Sequence, residues 1–172
     1  MKLTREKISA ILGFKSDDKA KSESNPVEVE TQESGMEYEH LIVNYTKEQL
    51  AESELRLAEF MKVCIGAYGA LVSTVDGHEV VYSLKRDIPP HKISTMNSSL
   101  LALGESIARE SLQQFCQFVI LENSDGRVVS LRINDILMLT CISTKNTNLG
   151  MLLSAGRNTA DSLAKILQSR TL

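Results

Sequence analysis

Two stretches of the sequence, VSTVDGHEVVYSL (residues 72–84) and VILENSDGRVVSLRI (residues 119–133), share one pattern. In each of them an Asp-Gly pair separates two runs of mainly β-branched and other apolar residues. Asp and Gly tolerate the positive φ angles of a tight hairpin turn, and the flanking runs favour strands. Each stretch is therefore predicted to form an antiparallel hairpin, turning at Asp76-Gly77 in the first and at Asp125-Gly126 in the second.

Three helices are predicted around these hairpins. Thr46 and Gln49 have the spacing of a capping box at a helix start, and Pro89-Pro90 ends the first hairpin and suits the start of a second helix. The predicted helices cover residues 46–66, 93–114 and 148–167. The predicted strands cover residues 67–75, 78–84, 115–121, 127–133 and 136–143. The order α-β-β-α-β-β-β-α predicts an α+β fold in which a five-stranded antiparallel sheet is flanked by three helices.

The composition divides the chain into three parts. Residues 1–15 carry a net charge of +3, residues 16–45 carry −6, and the remainder is neutral. The predicted organisation is a short amphipathic helix over 1–14, a flexible, disordered acidic linker over 15–45 and a folded domain over 46–172. The neutral domain argues against nucleic acid as a partner. The apolar core of a signal peptide and a membrane-spanning run are both missing, which predicts a cytoplasmic protein without stable membrane insertion.

Residues for catalysis or metal binding do not converge in the sequence. His40, His78 and His91 have no Cys, Asp or Glu at metal-ligand spacing. The chain has neither a GxSxG nucleophile motif nor the GxxxxGK[ST] loop of a nucleotide-binding protein. The three cysteines lie in apolar runs and are predicted to be buried free thiols. We therefore expect no cofactor, no metal and no enzymatic activity.

The order of elements and three stretches of sequence resemble the roadblock/dynein light chain family, and bacterial members of the MglB type most of all. These stretches are GALVSTVDGHEVVYSL, ISTMNSSLLALGESIARE and FVILENSDGRVVSLRINDILMLTCISTKNTNLGMLL. The resemblance covers residues 46–167. It implies a homodimer or heterodimer that pairs the long central helix and the strand after it, so that two sheets join. It also implies a platform without cofactors for a small Ras-like GTPase, or an adaptor in a larger complex.

The central helix has two neighbouring apolar stripes at helical spacing. The first stripe, predicted to cover the sheet, contains Ile93, Met96, Leu100, Leu103 and Ile107. The second contains Leu101, Gly104, Ala108 and Leu112. Since covering a sheet requires one stripe, the second is predicted to be a dimer interface, and Gly104→Arg is expected to break the dimer but leave the fold intact. The alternative is that both stripes face the core.

If the strand after this helix lies at the sheet edge, no Pro or Lys protects that edge, and pairing with its copy in a second subunit is then expected to cover it. Its predicted interface residues are Phe115, Gln117 and Val119. Glu105 and Arg109 are candidate contacts for a bound GTPase, the alternative being an ordinary solvated face. Two other roles remain open: a dimerising adaptor that binds a further protein through residues 1–14, and a sensor of a small ligand.

Overall fold

The computed structural model describes residues 45–168, so the predictions for the N-terminal helix (1–14) and for residues 15–44 of the linker lie outside the described part. The helices are α1 (Lys47–Val63), α2 (Pro90–Glu110) and α3 (Leu149–Ile166). The strands are β1 (Ala67–Thr74), β2 (Glu79–Leu84), β3 (Phe118–Glu122), β4 (Gly126–Arg132) and β5 (Leu137–Thr144). The predicted α+β class, the order of elements and the five-stranded antiparallel sheet with three helices are confirmed.

Helix α1 begins where the sequence predicted. The side-chain oxygen of Thr46 accepts a hydrogen bond from the Gln49 amide (3.2 Å), and the Gln49 side chain accepts one from the Thr46 amide (3.0 Å). These bonds satisfy two amides that the helix itself leaves unpaired, and such a cap stabilises a helix by about 1 kcal/mol. The buried face of the helix includes Leu57, Phe60 and Met61.

The strands form one sheet in the order β2-β1-β5-β4-β3, so that β2 and β3 lie at its two edges. Every neighbouring pair is antiparallel. In the first hairpin Gly77 has φ +95°, as an Asp-Gly turn requires. In the second hairpin Gly126 is the first residue of β4 rather than part of the turn. A Cβ atom there would collide with the carbonyl oxygen of Ser143 on β5, so this glycine is needed for close approach of the strands.

The two faces of the sheet are covered differently. Leu131 on β4 and Cys141 on β5 face α3, because a Cβ atom on Gly156 would lie 3.6 Å and 3.7 Å from their side chains. Thr140, the neighbour of Cys141, faces α2 and accepts a hydrogen bond from Asn97 (2.8 Å). Adjacent residues of a strand point to opposite faces. Helices α1 and α3 therefore cover one face, and α2 covers the other alone.

The main hydrophobic core lies between the sheet and the pair α1 and α3. Its fully buried members include Leu57, Leu139 and Leu163. The predicted inner side of α3 is confirmed, since Leu152, Gly156, Ala160, Leu163 and Leu167 are all buried. The layer under α2 is more polar, with Ser94 and Asn97 among the buried residues of the helix.

The prediction for the two stripes of α2 is wrong, because the helix faces the sheet with the other side. Leu101 and Ala108, predicted to form a dimer interface, are 2% and 5% exposed. Met96 and Ile107, predicted to cover the sheet, are 66% and 57% exposed. The sheet surface under α2 combines the fully buried Leu71 and Met138 with Thr140, which accepts a hydrogen bond from Asn97. The side of α2 that carries the apolar Leu101 as well as the polar Asn97 packs on this mixed surface, and the other stripe is left outside.

The bounds of two predicted elements also differ from the structure. Helix α2 starts at Pro90 and ends at Glu110, earlier at both ends than predicted. Strand β3 starts at Phe118 instead of residue 115. The amide of Cys116 is directed to the carboxylate of Glu105 on α2 (3.4 Å), so this part of the chain follows the helix instead of pairing with β4.

Candidate interaction surface

The outer side of α2 is an apolar stripe open to solvent. Met96, Leu103 and Ile107 are all more than half exposed, and Leu100 between them is half-buried. Their spacing of three and four residues places them along one side of the helix. A monomeric protein rarely leaves a continuous apolar surface in water unless another molecule covers it. This outer stripe is the strongest indication of function in the described part of the chain.

The inner side of α2 is occupied by contacts within the same chain. A Cβ atom on Gly104 would lie 2.8 Å from the Cys116 sulfur and 3.2 Å from Cγ2 of Val119. Gly104 therefore lets the chain leading to β3 pack closely on the helix. A side chain as large as arginine there would have to displace Cys116 and Val119, so we now expect Gly104→Arg to disturb the packing of the protomer as well.

One edge of the sheet that α2 contacts is β3. Its partner on one side is β4, with Val119 opposite Ser130, and its other side carries no strand among residues 45–168. Ile120 and Leu121 are each 40% exposed. An apolar groove runs between this edge and α2, lined by Ile107, Phe115, Gln117, Val119 and Ile120. Three of the predicted interface residues, Phe115, Gln117 and Val119, thus lie together in this groove.

Helix α2 ends in a turn that positions Leu112. The Leu112 amide donates to the carbonyl of Arg109 (3.1 Å), and the Gln113 amide donates to that of Ala108 (2.8 Å). This pair of bonds defines a Schellman motif, in which the residue at the position of Leu112 has a left-handed conformation. Leu112 has φ +58° and its side chain is 95% exposed. Unlike Leu101 and Ala108, this predicted interface residue is fully available to a partner.

The two candidate GTPase contacts have different environments. Glu105 forms an ion pair with Arg132 of β4 (2.9 Å), and its side chain is only 23% exposed. It holds α2 to the sheet and to the connection before β3. Arg109 is exposed and donates to the hydroxyl of Ser106 (3.2 Å). Of the two, Arg109 is the residue that another protein can reach.

The cysteines differ in burial. Cys64 and Cys141 are buried free thiols, as predicted, but Cys116 is only half-buried. Burial raises the pKa of the Cys116 thiol, and the negative charge of Glu105 adds to the increase. The thiol is therefore protonated at neutral pH and a weak nucleophile there. Within residues 45–168, no group of three or more His, Cys, Asp or Glu is arranged to hold a metal ion.

No family model matches the sequence, and no curated protein matches it. The fold, however, is the roadblock/LC7 fold in its MglB-like form. MglB from Myxococcus xanthus superimposes with a TM-score of 0.67 at 16% identity, covering 76% of this chain and 100% of that one. The gliding protein MglB from Thermus thermophilus has a TM-score of 0.66 at 16% identity, with coverage of 73% and 94%.

A roadblock/LC7 domain from Streptomyces avermitilis is also similar. Its TM-score is 0.63 at 13% identity, and the match covers 66% of this chain and 96% of that domain. The expectation of a roadblock-like fold is thereby confirmed. In the described part of the chain, none of the helices combines the length and the apolar character needed to cross a bilayer.

Sequence reasoning missed two features of this surface. The orientation of α2 was missed because both stripes have the same spacing and both contain leucine. The left-handed Leu112 was missed because leucine rarely occupies the position that follows a helix in this motif, where glycine is usual. The sequence did contain a signal for the orientation. Ser94, Asn97 and Leu101 lie three and four residues apart, so they share one side of the helix, and this side could face a partly polar layer.

Proposed function

We propose that this chain is a non-enzymatic, dimeric, cytoplasmic regulator that binds a small Ras-like GTPase. The observation that carries the proposal is the exposed apolar stripe of α2 beside the open edge strand β3, on a fold shared with MglB structures. The larger apolar side chains of the outer stripe can be buried only by another molecule. The backbone groups on the open side of β3 can likewise pair only with another strand.

Two copies related by a two-fold axis would cover the exposed stripe of α2 and pair the open edge of β3 in one contact. Pairing of β3 with its copy removes the sheet edge, and the outer stripes of the two α2 helices then cover each other. The predicted interface residues Leu112, Phe115, Gln117 and Val119 belong to this contact. Leu101, Gly104 and Ala108 support it from inside the protomer, since they set how closely α2 lies on the sheet.

The regulation we propose is selective binding to one nucleotide state of the GTPase. A regulator shifts the switch equilibrium of its partner only as far as its affinities for the two states differ. A tenfold difference in affinity corresponds to about 1.4 kcal/mol. Arg109, one of the exposed charged residues of α2, is the residue that we assign to this contact.

The test uses the purified full chain and a GTPase whose gene lies beside its own and encodes the GxxxxGK[ST] loop. The GTPase is loaded in parallel with GDP, with a non-hydrolysable GTP analogue, and with GDP plus aluminium fluoride. We expect the two proteins to co-elute in size-exclusion chromatography with the analogue or the fluoride complex and to separate with GDP. The rate of GTP hydrolysis with and without the chain then tells activation from simple state-selective binding.

Co-elution that is the same with every nucleotide would contradict state selectivity and favour the adaptor role. In that role, residues 1–14, which lie outside the described part, would bind a further protein while the folded domain dimerises. Absence of binding in every state would contradict the regulator proposal for that GTPase. An Arg109→Ala variant that binds as tightly as the wild type would remove Arg109 from the contact.

A further inference from the structure

Leu112 has an unusual backbone for its residue type. Among residues 45–168 it is the one non-glycine residue with positive φ. A Cβ atom is disfavoured in this conformation, which is why glycine, or less often asparagine, follows helices that end in a Schellman motif. Glycine would therefore adopt the backbone conformation at this position with less strain than leucine.

The side chain of Leu112 does not compensate for this within the protomer. It is 95% exposed, the highest value among the exposed large apolar residues of the described chain. A leucine that is buried nowhere gains no hydrophobic stabilisation. Neither the backbone conformation nor the packing of the single chain thus favours leucine here, whereas contact with another molecule would favour it.

The surroundings of Leu112 favour a second copy of this chain as the molecule that it contacts. Its neighbour Gln113 lines the apolar groove between α2 and β3. One protomer thus carries both an exposed apolar side chain and, next to it, an apolar groove. A two-fold contact requires this kind of self-complementary surface, since each copy must offer what the other inserts.

The exposed apolar area is sufficient for a stable pair. It is contributed by Met96, Leu103, Ile107, Leu112, Phe115 and Leu121. Their exposed fractions add up to roughly four whole side chains, or on the order of 800 Å² at about 200 Å² each. A stable interface of ordinary size buries about 800 Å² on each partner. The area is therefore of the size that a second copy of the chain would cover.

We propose that Leu112 is the anchor residue of the homodimer. The left-handed turn directs its side chain away from its own protomer and into the groove of the second copy, beside that copy's Phe115. This inference rests on the dimer of the proposed function and adds the residue that holds it together. Anchors of this kind are apolar side chains placed in a pocket of the partner, and they contribute far more to affinity than their neighbours.

The test compares the wild-type full chain with Leu112→Gly and Leu112→Asn. Both replacements suit the left-handed turn, so the melting temperature of the protomer should stay within about 4 °C. The dimer dissociation constant, measured by sedimentation equilibrium, should rise at least about 30-fold. The matched control is Leu55→Asn, because Leu55 is 54% exposed on α1, on the other side of the sheet. This control should leave the dissociation constant unchanged.

Each other outcome has a defined meaning. If the wild type dimerises and both variants have the same dimer dissociation constant, the anchor role is overturned, but the proposed dimeric regulator is not. A wild-type chain that remains monomeric at high concentration would overturn the anchor and the dimer together. Variants that dimerise normally but no longer bind the GTPase would also overturn the proposal, because the occupant of the groove would then be the GTPase. If Leu112→Gly fails to fold, Leu112→Asn alone decides.

Discussion

Two buried glycines in the structure lack a side chain for different reasons. Gly126 begins β4 in contact with the backbone of Ser143, and there is no room for a methyl group between the two strands. Gly156 lies in the middle of α3, where a Cβ atom would meet Leu131 and Cys141 at 3.6 Å and 3.7 Å. Those distances are ordinary van der Waals contacts, so the position has room for alanine.

The two Gly→Ala variants are therefore expected to have opposite effects. Gly126→Ala should lower the free energy of unfolding by at least about 2 kcal/mol, because β4 and β5 would have to separate locally. Gly156→Ala should leave it unchanged or raise it by up to about 1 kcal/mol, since alanine is the better helix former. Urea denaturation followed by circular dichroism measures both. Equal effects of the two substitutions would show that strand spacing does not explain Gly126.

Helix α2 presents most of its larger apolar side chains outward and buries Leu101 together with small and polar ones, so much of its apolar surface is not used within the protomer. Its attachment to the sheet includes specific polar contacts. Besides the bond from Asn97 to Thr140, the hydroxyl of Ser98 donates to the carbonyl of Val75, the residue after β1. Specific hydrogen bonds position the helix, and its hydrophobic surface remains available for a partner.

A charge placed on the outer stripe should separate the dimer without unfolding the protomer. We expect Leu103→Glu to raise the dimer dissociation constant at least about 10-fold, because the carboxylate would lose its water of hydration in the interface. The melting temperature of the isolated protomer should not change by more than about 3 °C, since Leu103 is 57% exposed. Sedimentation equilibrium and a thermal scan measure the two quantities.

The control for this element is Leu55→Glu on α1, a residue of similar exposure outside the proposed interface. It should leave the dissociation constant as it is. If Leu103→Glu dimerises like the wild type, the outer stripe of α2 is not the dimer contact.

The start of the described domain is capped by its own residues. The capping box of Thr46 and Gln49 satisfies two amides at the N-terminus of α1. The Gln49 side chain also donates to the carbonyl of Ile166 (2.7 Å), which ties the beginning of α1 to the end of α3. We take these contacts to make the folded domain self-sufficient.

Removing residues 1–44 should accordingly change the melting temperature of the protein by less than about 3 °C. The truncated chain should also keep the dimer dissociation constant of the full chain, because the interface we propose lies wholly in α2, β3 and their connection. A scanning calorimetry comparison at equal concentration measures the first effect. A large fall in melting temperature would mean that the N-terminal segment packs on the domain.

The elements were predictable because their signals are local. Asp76-Gly77, the Thr46 capping box and the apolar spacing of α3 each act over a few residues, and the structure confirms them. The candidate surface was predictable only in part. The sequence left open whether β3 lies at an edge, because strand order depends on pairing between distant segments. The start of β3 at Phe118 depends on the contact of Cys116 with Glu105, eleven residues earlier in the chain.

The amino-acid sequence by itself determined which helices and strands form and in what order, since turn chemistry and side-chain periodicity belong to short segments. Only the tertiary structure decided which side of α2 faces the sheet. Two stripes with the same spacing fit a helix equally well, and the choice between them depends on the surface they meet, which strands distant in sequence build together. At this surface Thr140 holds Asn97 by a hydrogen bond, and the leucines and isoleucine of the other stripe remain in contact with solvent.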